Sequence, residues 1–231
     1  MNLLAIDTST DACSVALLSS GELSGHYRVE PRGHTRLIMP MVRQVLADHD
    51  LAISDLDALA FAAGPGSFTG LRIATGVIQG LAWGLDVPVM PVSSLAAVAL
   101  ELAEARGAEE GDGIAVAFDA RMDEVYWGCF RLVDGLPELL APERVCPPEQ
   151  VSLPGGPARW LAGGSGWRYA ERIPETVIGA VESPDPECGP DARFVARLAA
   201  RSLRTGGGVP AAKAQPVYLR DEVTWKKLPG R

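Results

Sequence analysis

The chain reads as an α/β protein of two lobes with mixed sheets, on three observations. Apolar runs of strand length alternate with amphipathic runs of helical period, the pattern of helices laid on sheets. Near the start, a strand at residues 3–6 ends in Asp7-Thr8-Ser9-Thr10-Asp11 and turns into a second strand at 13–18. The unit recurs as residues 114–118, Asp119-Ala120-Arg121-Met122-Asp123 and residues 125–132, so Asp119 matches Asp7 and Asp123 matches Asp11. Each second strand closes on a glycine turn, at Gly21 and Gly135. The small, acidic stretch 108–113 separates the copies and sets the expected division: 1–107, 108–212, and a tail 213–231 that packs back on the protein.

Taken in order, a third strand at 23–29 follows Gly21, then a helix over 35–47 with apolar Leu37, Ile38, Met41, Val42, Val45 and Leu46. Pro40 inside it predicts a bend. His34 at its start is read as a capping or surface histidine in preference to a ligand or base. Residues 57–63, all apolar after the first, form a strand buried on both faces. Next comes the stretch that organises the chain, GPGSFTGLRIATGVIQGLAWGL at 64–85. Gly64-Pro65-Gly66 makes a sharp turn, and Ser67 or Thr69 caps the helix behind it.

In that helix Gly76, Gly80 and Gly84 fall at i, i+4 and i+8 and form one ridge. Each costs about 1 kcal/mol against alanine, so close approach of another backbone is expected in compensation. That backbone is either the molecule's own sheet or helix, or a partner's. Leu71, Ile73, Val77, Ile78, Leu81 and Leu85 cover half the circumference, leaving Arg72, Thr75, Gln79 and Trp83 a narrow polar strip. The helix is therefore expected to be buried on more than one side.

A strand at 87–92 leads to a helix capped by Ser93 or Ser94 and running to Gly107. Past the second hairpin unit the pattern loosens: a proline-rich stretch at 146–157, a short strand at 160–162, a glycine-rich turn at 163–167 and a helix over 192–203 ended by Gly206-Gly207-Gly208. The tail carries Tyr218, Arg220, Trp225, Lys226 and Lys227, the main concentration of lysine in the chain.

Composition limits the function. The 231 residues are 47% hydrophobic and 22% charged, ordinary for a globular protein with real cores. A net charge of −8 argues against a protein that grips nucleic acid alone. The start MNLL lacks a positive leader and no apolar stretch reaches a membrane span, so a cytoplasmic protein is expected. Cys13, Cys129, Cys146 and Cys188 match no metal spacing and read as buried reduced thiols.

The blocks MNLLAIDTSTDACSVAL, HTRLIMPMV, GPGSFTGLRIATGVIQGLAWGLDVPVMPVSSLAAVA, DARMDEVYWG and PVYLRDEVTWKK together resemble the TsaB (YeaZ) family. The resemblance implies the two-lobed actin/Hsp70/sugar-kinase-like fold (ASKHA, ribonuclease H-like) with mixed sheets. It implies a non-catalytic partner of the TsaD-type subunit that transfers threonylcarbamoyl to the adenosine beside the anticodon, in tRNAs reading codons that start with adenosine. It also implies a TsaE-type ATPase in the larger complex, tRNA met only through that complex, and a homodimer for the isolated chain. Pairing runs through the two helices at 35–47 and 70–85, which places Leu37, Met41, Arg72, Thr75, Gly76, Gln79, Gly80 and Trp83 at the interface.

Departures from active relatives set the expected activity. Kinases of this fold carry Asp-x-Gly-Thr in the first hairpin, where glycine lets backbone amides approach a phosphate. Here Asp7-Thr8-Ser9-Thr10 has serine at that place, a vestigial nucleotide site, and Asp119-Ala120-Arg121-Met122 has no glycine. Asp7 is read as ordering its own turn, with a hydrated magnesium the alternative. TsaD relatives bind metal through His-x-x-x-His; Ser94 and Val98 stand there, so no metal site and no cofactor are expected. The alternatives are a small ATP-dependent phosphotransferase using Asp7 and the turn at 163–166, and, far behind, a peptidase, for which no Gly-x-Ser-x-Gly elbow exists.

Overall fold

The computed structural model describes residues 1–220. Trp225, Lys226 and Lys227 lie outside the described residues. The first sheet holds β1 (Asn2–Asp7), β2 (Ala12–Ser19), β3 (Glu22–Val29), β4 (Ala58–Gly64) and β5 (Val89–Ser93), in the order β3-β2-β1-β4-β5. β2 is antiparallel to β1 and to β3, whereas β1, β4 and β5 run parallel. The second sheet holds β6 (Gly113–Arg121), β7 (Glu124–Val133), β8 (Leu136–Cys146) and β9 (Trp160–Gly163), in the order β8-β7-β6-β9. Its pairings repeat the first sheet's, with β6 antiparallel to β7, β7 antiparallel to β8, and β6 parallel to β9. The expected repeat is thus a repeat of topology, and the two-lobed actin- and sugar-kinase-like fold is what the chain adopts.

The helices are α1 (His34–Ala47), α2 (Phe68–Leu85), α3 (Ser94–Ala105), the single turn α4 (Glu175–Ile178) and α5 (Ala192–Arg204). Strand periodicity decides where they lie. Leu4, Ile6, Leu59, Phe61 and Ala63 point to one face of the first sheet and pack under Leu37, Ile38, Met41 and Val42 of α1 and Ala74, Ile78 and Ala82 of α2. Leu3, Ala5, Ala58, Ala60 and Ala62 point to the other face and meet Ala192, Val195, Ala196 and Ala199 of α5. Both faces are covered, which is why β1 and β4 read as unbroken apolar runs. The alanines on one face of β4 match the alanines of α5 and let helix and sheet close tightly. α3 lies between the lobes, its Leu95, Val98, Ala99 and Leu102 packing on Ile114, Val116, Phe118 and Phe130 of the second sheet.

Helix starts follow the expected chemistry. Ser67 Oγ accepts from Gly70 N at 3.3 Å, Ser93 Oγ from Ala96 N at 3.1 Å, and Asp191 Oδ1 from Arg193 N at 2.8 Å. α1 continues through Pro40 to Ala47.

Three readings change. α5 lies within the expected second unit, 108–212, yet its alanine face is part of the first sheet's core, so the chain crosses back to the first lobe. β8 was not expected: it is an edge strand holding Pro137 and Pro142, half-buried to exposed nearly throughout, so period-2 alternation is faint in it. The turn at 163–167 is the end of β9 followed by a 3-10 stretch over Ser165–Arg172, whose Trp167 is buried in the second lobe.

Candidate protein interface and the cleft beside it

α2 buries a single face. Leu71, Ala74, Thr75, Ile78 and Ala82 point inward, and Thr75 Oγ1 is spent on the Leu71 carbonyl at 2.8 Å. The opposite side carries Phe68, Arg72, Gly76, Gly80 and Gly84 at successive i+4 positions, with Trp83 beside them. Trp83 is 77% exposed and Phe68 54%. A Cβ built on Gly76, Gly80 or Gly84 meets nothing within 4 Å among the described residues, apart from the helix's own backbone. Among the described residues, neither the molecule's own sheet nor another helix approaches this ridge.

The eight expected interface residues therefore separate. Arg72, Gly76, Gly80 and Trp83 lie open on α2. Gln79 is half-buried, its Nε2 donating to the Ala214 carbonyl at 2.8 Å. Leu37 and Met41 are buried in the first lobe's core, as Thr75 is in the inner face of α2. The period of α1 turns Arg36, Pro40, Arg43 and Gln44 outward instead. Two further residues stand on this face: Phe68, which the expected set left out, and Tyr218, singled out in the tail. Phe68 continues the i+4 row one step before Arg72, a signal present in the sequence, and the Arg72 guanidinium lies 3.7 Å over its ring. Tyr218 is brought there by the tail, its ring 5.4 Å from that of Phe68 and its hydroxyl accepting from Arg72 Nε at 3.2 Å.

The tail reaches this place through a series of backbone contacts. Val209 bridges Val89, Ala214 is buried, and Val217 N donates to the Ala63 carbonyl at 2.7 Å. Gly64, at φ +122°, is required there: a Cβ would lie 2.6 Å from the Val217 carbonyl oxygen.

At the carboxyl end of β1, the first hairpin is closed over. A Cβ on Gly70 would lie 1.8 Å from the Thr8 carbonyl oxygen, so the start of α2 rests directly on the loop. Thr8 Oγ1 donates to the Gly70 carbonyl at 2.7 Å, and Ser67 N donates to the Ser9 carbonyl at 2.7 Å. Ser9 N, the amide placed to meet a phosphate, donates to Asp7 Oδ1 at 2.8 Å. His34 is buried, and its Nε2 contacts the carbonyls of Thr10 and Ala12 at 2.8 and 3.2 Å, so Nε2 carries the proton and ties α1 to the hairpin. It is a structural histidine, neither a surface residue nor a cap.

Asp7 is fully buried, and burial pushes its carboxyl up to about 7, with the Asp191 carboxylate adding in the same direction. Among the described residues, its Oδ2 and the hydroxyls of Ser9 and Ser94 have no hydrogen-bond partner. The Ser9 amide is spent within the turn, and the start of α2 rests on the loop. Asp7 orders its own turn, as expected. Among the described residues no group of three or more His, Cys, Asp or Glu side chains is placed to hold a metal ion.

The repeated sheets and the two Asp-led hairpins define a two-lobed protein of the actin, Hsp70 and sugar-kinase class. Residues 28–183 match the family described as TsaD: tRNA N6-adenosine threonylcarbamoyltransferase. The chain is 39% identical to the tRNA threonylcarbamoyladenosine biosynthesis protein TsaB of Haemophilus influenzae, over 100% of this chain and 98% of that one. It is also 39% identical to the Escherichia coli protein of the same name, over 100% of each. The solved structure of YeaZ from Pseudomonas aeruginosa superposes with a TM-score of 0.89 at 47% identity, over 94% of this chain and 99% of that one. The chain belongs to the TsaB (YeaZ) family. Among the described residues no helix is long and apolar enough to cross a membrane.

Proposed function

We propose that this chain acts in tRNA threonylcarbamoyladenosine biosynthesis as the non-catalytic partner of a TsaD-type transferase, holding it through the outer face of α2. The observation that carries the reading is the open glycine ridge. Three glycines in one helix interior cost about 3 kcal/mol together against alanine, and nothing described in the chain uses the room they make. Exposed Phe68 and Trp83 flank that room with large apolar area, which a partner would bury. The closed first hairpin supports a role without nucleotide chemistry of its own, and a TsaE-type ATPase joins the pair in the larger assembly. When alone, the chain satisfies the same face with a second copy.

The test is Gly80→Arg. The site is an exposed helical position with space around it, and arginine is the better helix former, so the folded chain keeps or gains stability. Affinity for the TsaD-type subunit, read by calorimetry, is expected to fall at least about 100-fold, and threonylcarbamoylation of unmodified tRNA in the reconstituted mixture should fall to the level seen without this chain. Undiminished binding by Gly80→Arg would overturn the interface. Modification by this chain alone, without the transferase, would overturn the non-catalytic role.

A further inference from the structure

Phe68, Tyr218 and Met122 come from α2, the tail and the second lobe, yet one line of contacts joins them. The rings of Phe68 and Tyr218 lie 5.4 Å apart. Two residues beyond Tyr218, Arg220 Nη1 lies 3.2 Å from Met122 Sδ, and Nη2 donates to the Arg121 carbonyl at 3.4 Å and pairs with Glu124. The Arg220 side chain is only 17% exposed, so it works as an anchor that pins the tail to the β6–β7 hairpin. Along this line Phe68 is 54% exposed, Val217 47%, Tyr218 41% and Met122 59%.

Met122 is presented in an unusual way. Arg121, Met122 and Asp123 stand at φ +62°, +57° and +61°, three successive non-glycine residues in the left-handed region. Met122 and Asp123 are the two-residue turn between the paired Arg121 and Glu124, which calls for positive φ at both, and Met122 stands 59% exposed at its tip with its Sδ against Arg220.

We infer that the docking surface does not stop at α2 but continues over Val217 and Tyr218 to Met122, and that its occupant is the same TsaD-type subunit, gripping both lobes at once. This rests on the reading of α2 above. Two observations select that occupant. The patch is continuous with the ridge, since Phe68 and Arg72 are the ridge's first members and also the residues that hold Tyr218. Its composition of Phe, Tyr, Met and Arg is that of the centre of a protein interface. Arg121, its side chain 84% exposed and paired with Asp119 at 3.4 Å, stands at the rim, and the partner is expected to offer an apolar pocket to Met122.

The test uses the full chain and the TsaD-type subunit in calorimetry, with Met122→Asn, Tyr218→Ala and Gly80→Arg side by side. Asparagine tolerates the left-handed conformation better than methionine and leaves the Arg220–Glu124 pair in place. Met122→Asn and Tyr218→Ala are each expected to weaken binding 5- to 30-fold, about the size of a hot-spot truncation, with the melting temperature of Met122→Asn unchanged or raised. Unchanged affinity in both overturns the extended surface; if Gly80→Arg still abolishes binding, the α2 reading stands without it. Binding retained by Gly80→Arg overturns the α2 reading itself. A loss confined to self-association, or confined to tRNA binding, would assign the patch to a second copy or to nucleic acid and overturn the occupant named here.

Discussion

The two hairpins share an aspartate-capped start but neither a turn conformation nor a situation. In each, the aspartate that ends the first strand accepts a backbone N–H two residues on: Asp7 Oδ1 from Ser9 N and Asp119 Oδ1 from Arg121 N, both at 2.8 Å. The first hairpin is then sealed, with Asp7, Thr8 and Ser9 buried, His34 bound to its far side and α2 lying on the Thr8 carbonyl. The second stays open, with Arg121, Met122 and Asp123 exposed and left-handed, touched by the tail through Arg220. One local motif, placed under a helix in one lobe and at the rim in the other, becomes a structural support in the first and a candidate contact site in the second. A short sequence can specify a turn, but what covers the turn decides its use.

The sharpest way to break this contrast is to force the first hairpin open. Gly70→Ala puts a methyl where the Thr8 carbonyl oxygen already lies. Overpacking of that kind is expected to cost about 3 kcal/mol or more, seen in urea unfolding and as a melting temperature lower by on the order of 10 °C. A loss below about 1 kcal/mol would mean that α2 does not rest on the loop.

The buried carboxyl gives a second, pH-dependent test. Burial raises Asp7 from 3.8 to about 7 in the folded chain, so folding takes up a proton. Stability from this group is fully present below pH 3.8, declines as the pH rises toward 7, and is flat above that. Asp7→Asn removes the dependence, so its stability relative to the parent chain should improve by on the order of 2 kcal/mol between pH 5 and pH 8. Equal offsets at the two pH values in denaturant titrations would refute the buried, neutral carboxyl.

The smallest effect belongs to the open hairpin. A left-handed methionine costs about 1 kcal/mol, and Met122→Asn should recover about 0.5 kcal/mol of it. A loss of stability from this exchange would show that Met122 packs inward after all.

Much of this was legible along the chain. Residues 57–63 announced a doubly covered strand because both of its faces are apolar, and Ser67 and Ser93 stand where helix caps must. The glycine row of α2 and the Asp-led hairpins marked the two places where the molecule departs from an ordinary core. Leu37 and Met41 were misplaced because helical period says which residues share a face, not whether that face meets the sheet or a partner. β8 escaped because an exposed edge strand carrying two prolines has little alternation to read.

The sequence by itself determined most of the elements, the repeat, the family and the presence of a helix with room along one side, since all of these rest on local periodicity and short-range turn chemistry. Only the tertiary structure decided that the ridge faces outward, that α5 returns to the first lobe, and that the tail carries Tyr218 and Arg220 across from α2 to the second hairpin. Those facts depend on contacts between residues far apart in the chain, Phe68 with Tyr218 and Met122 with Arg220, and no local pattern encodes which distant surface a segment will cover.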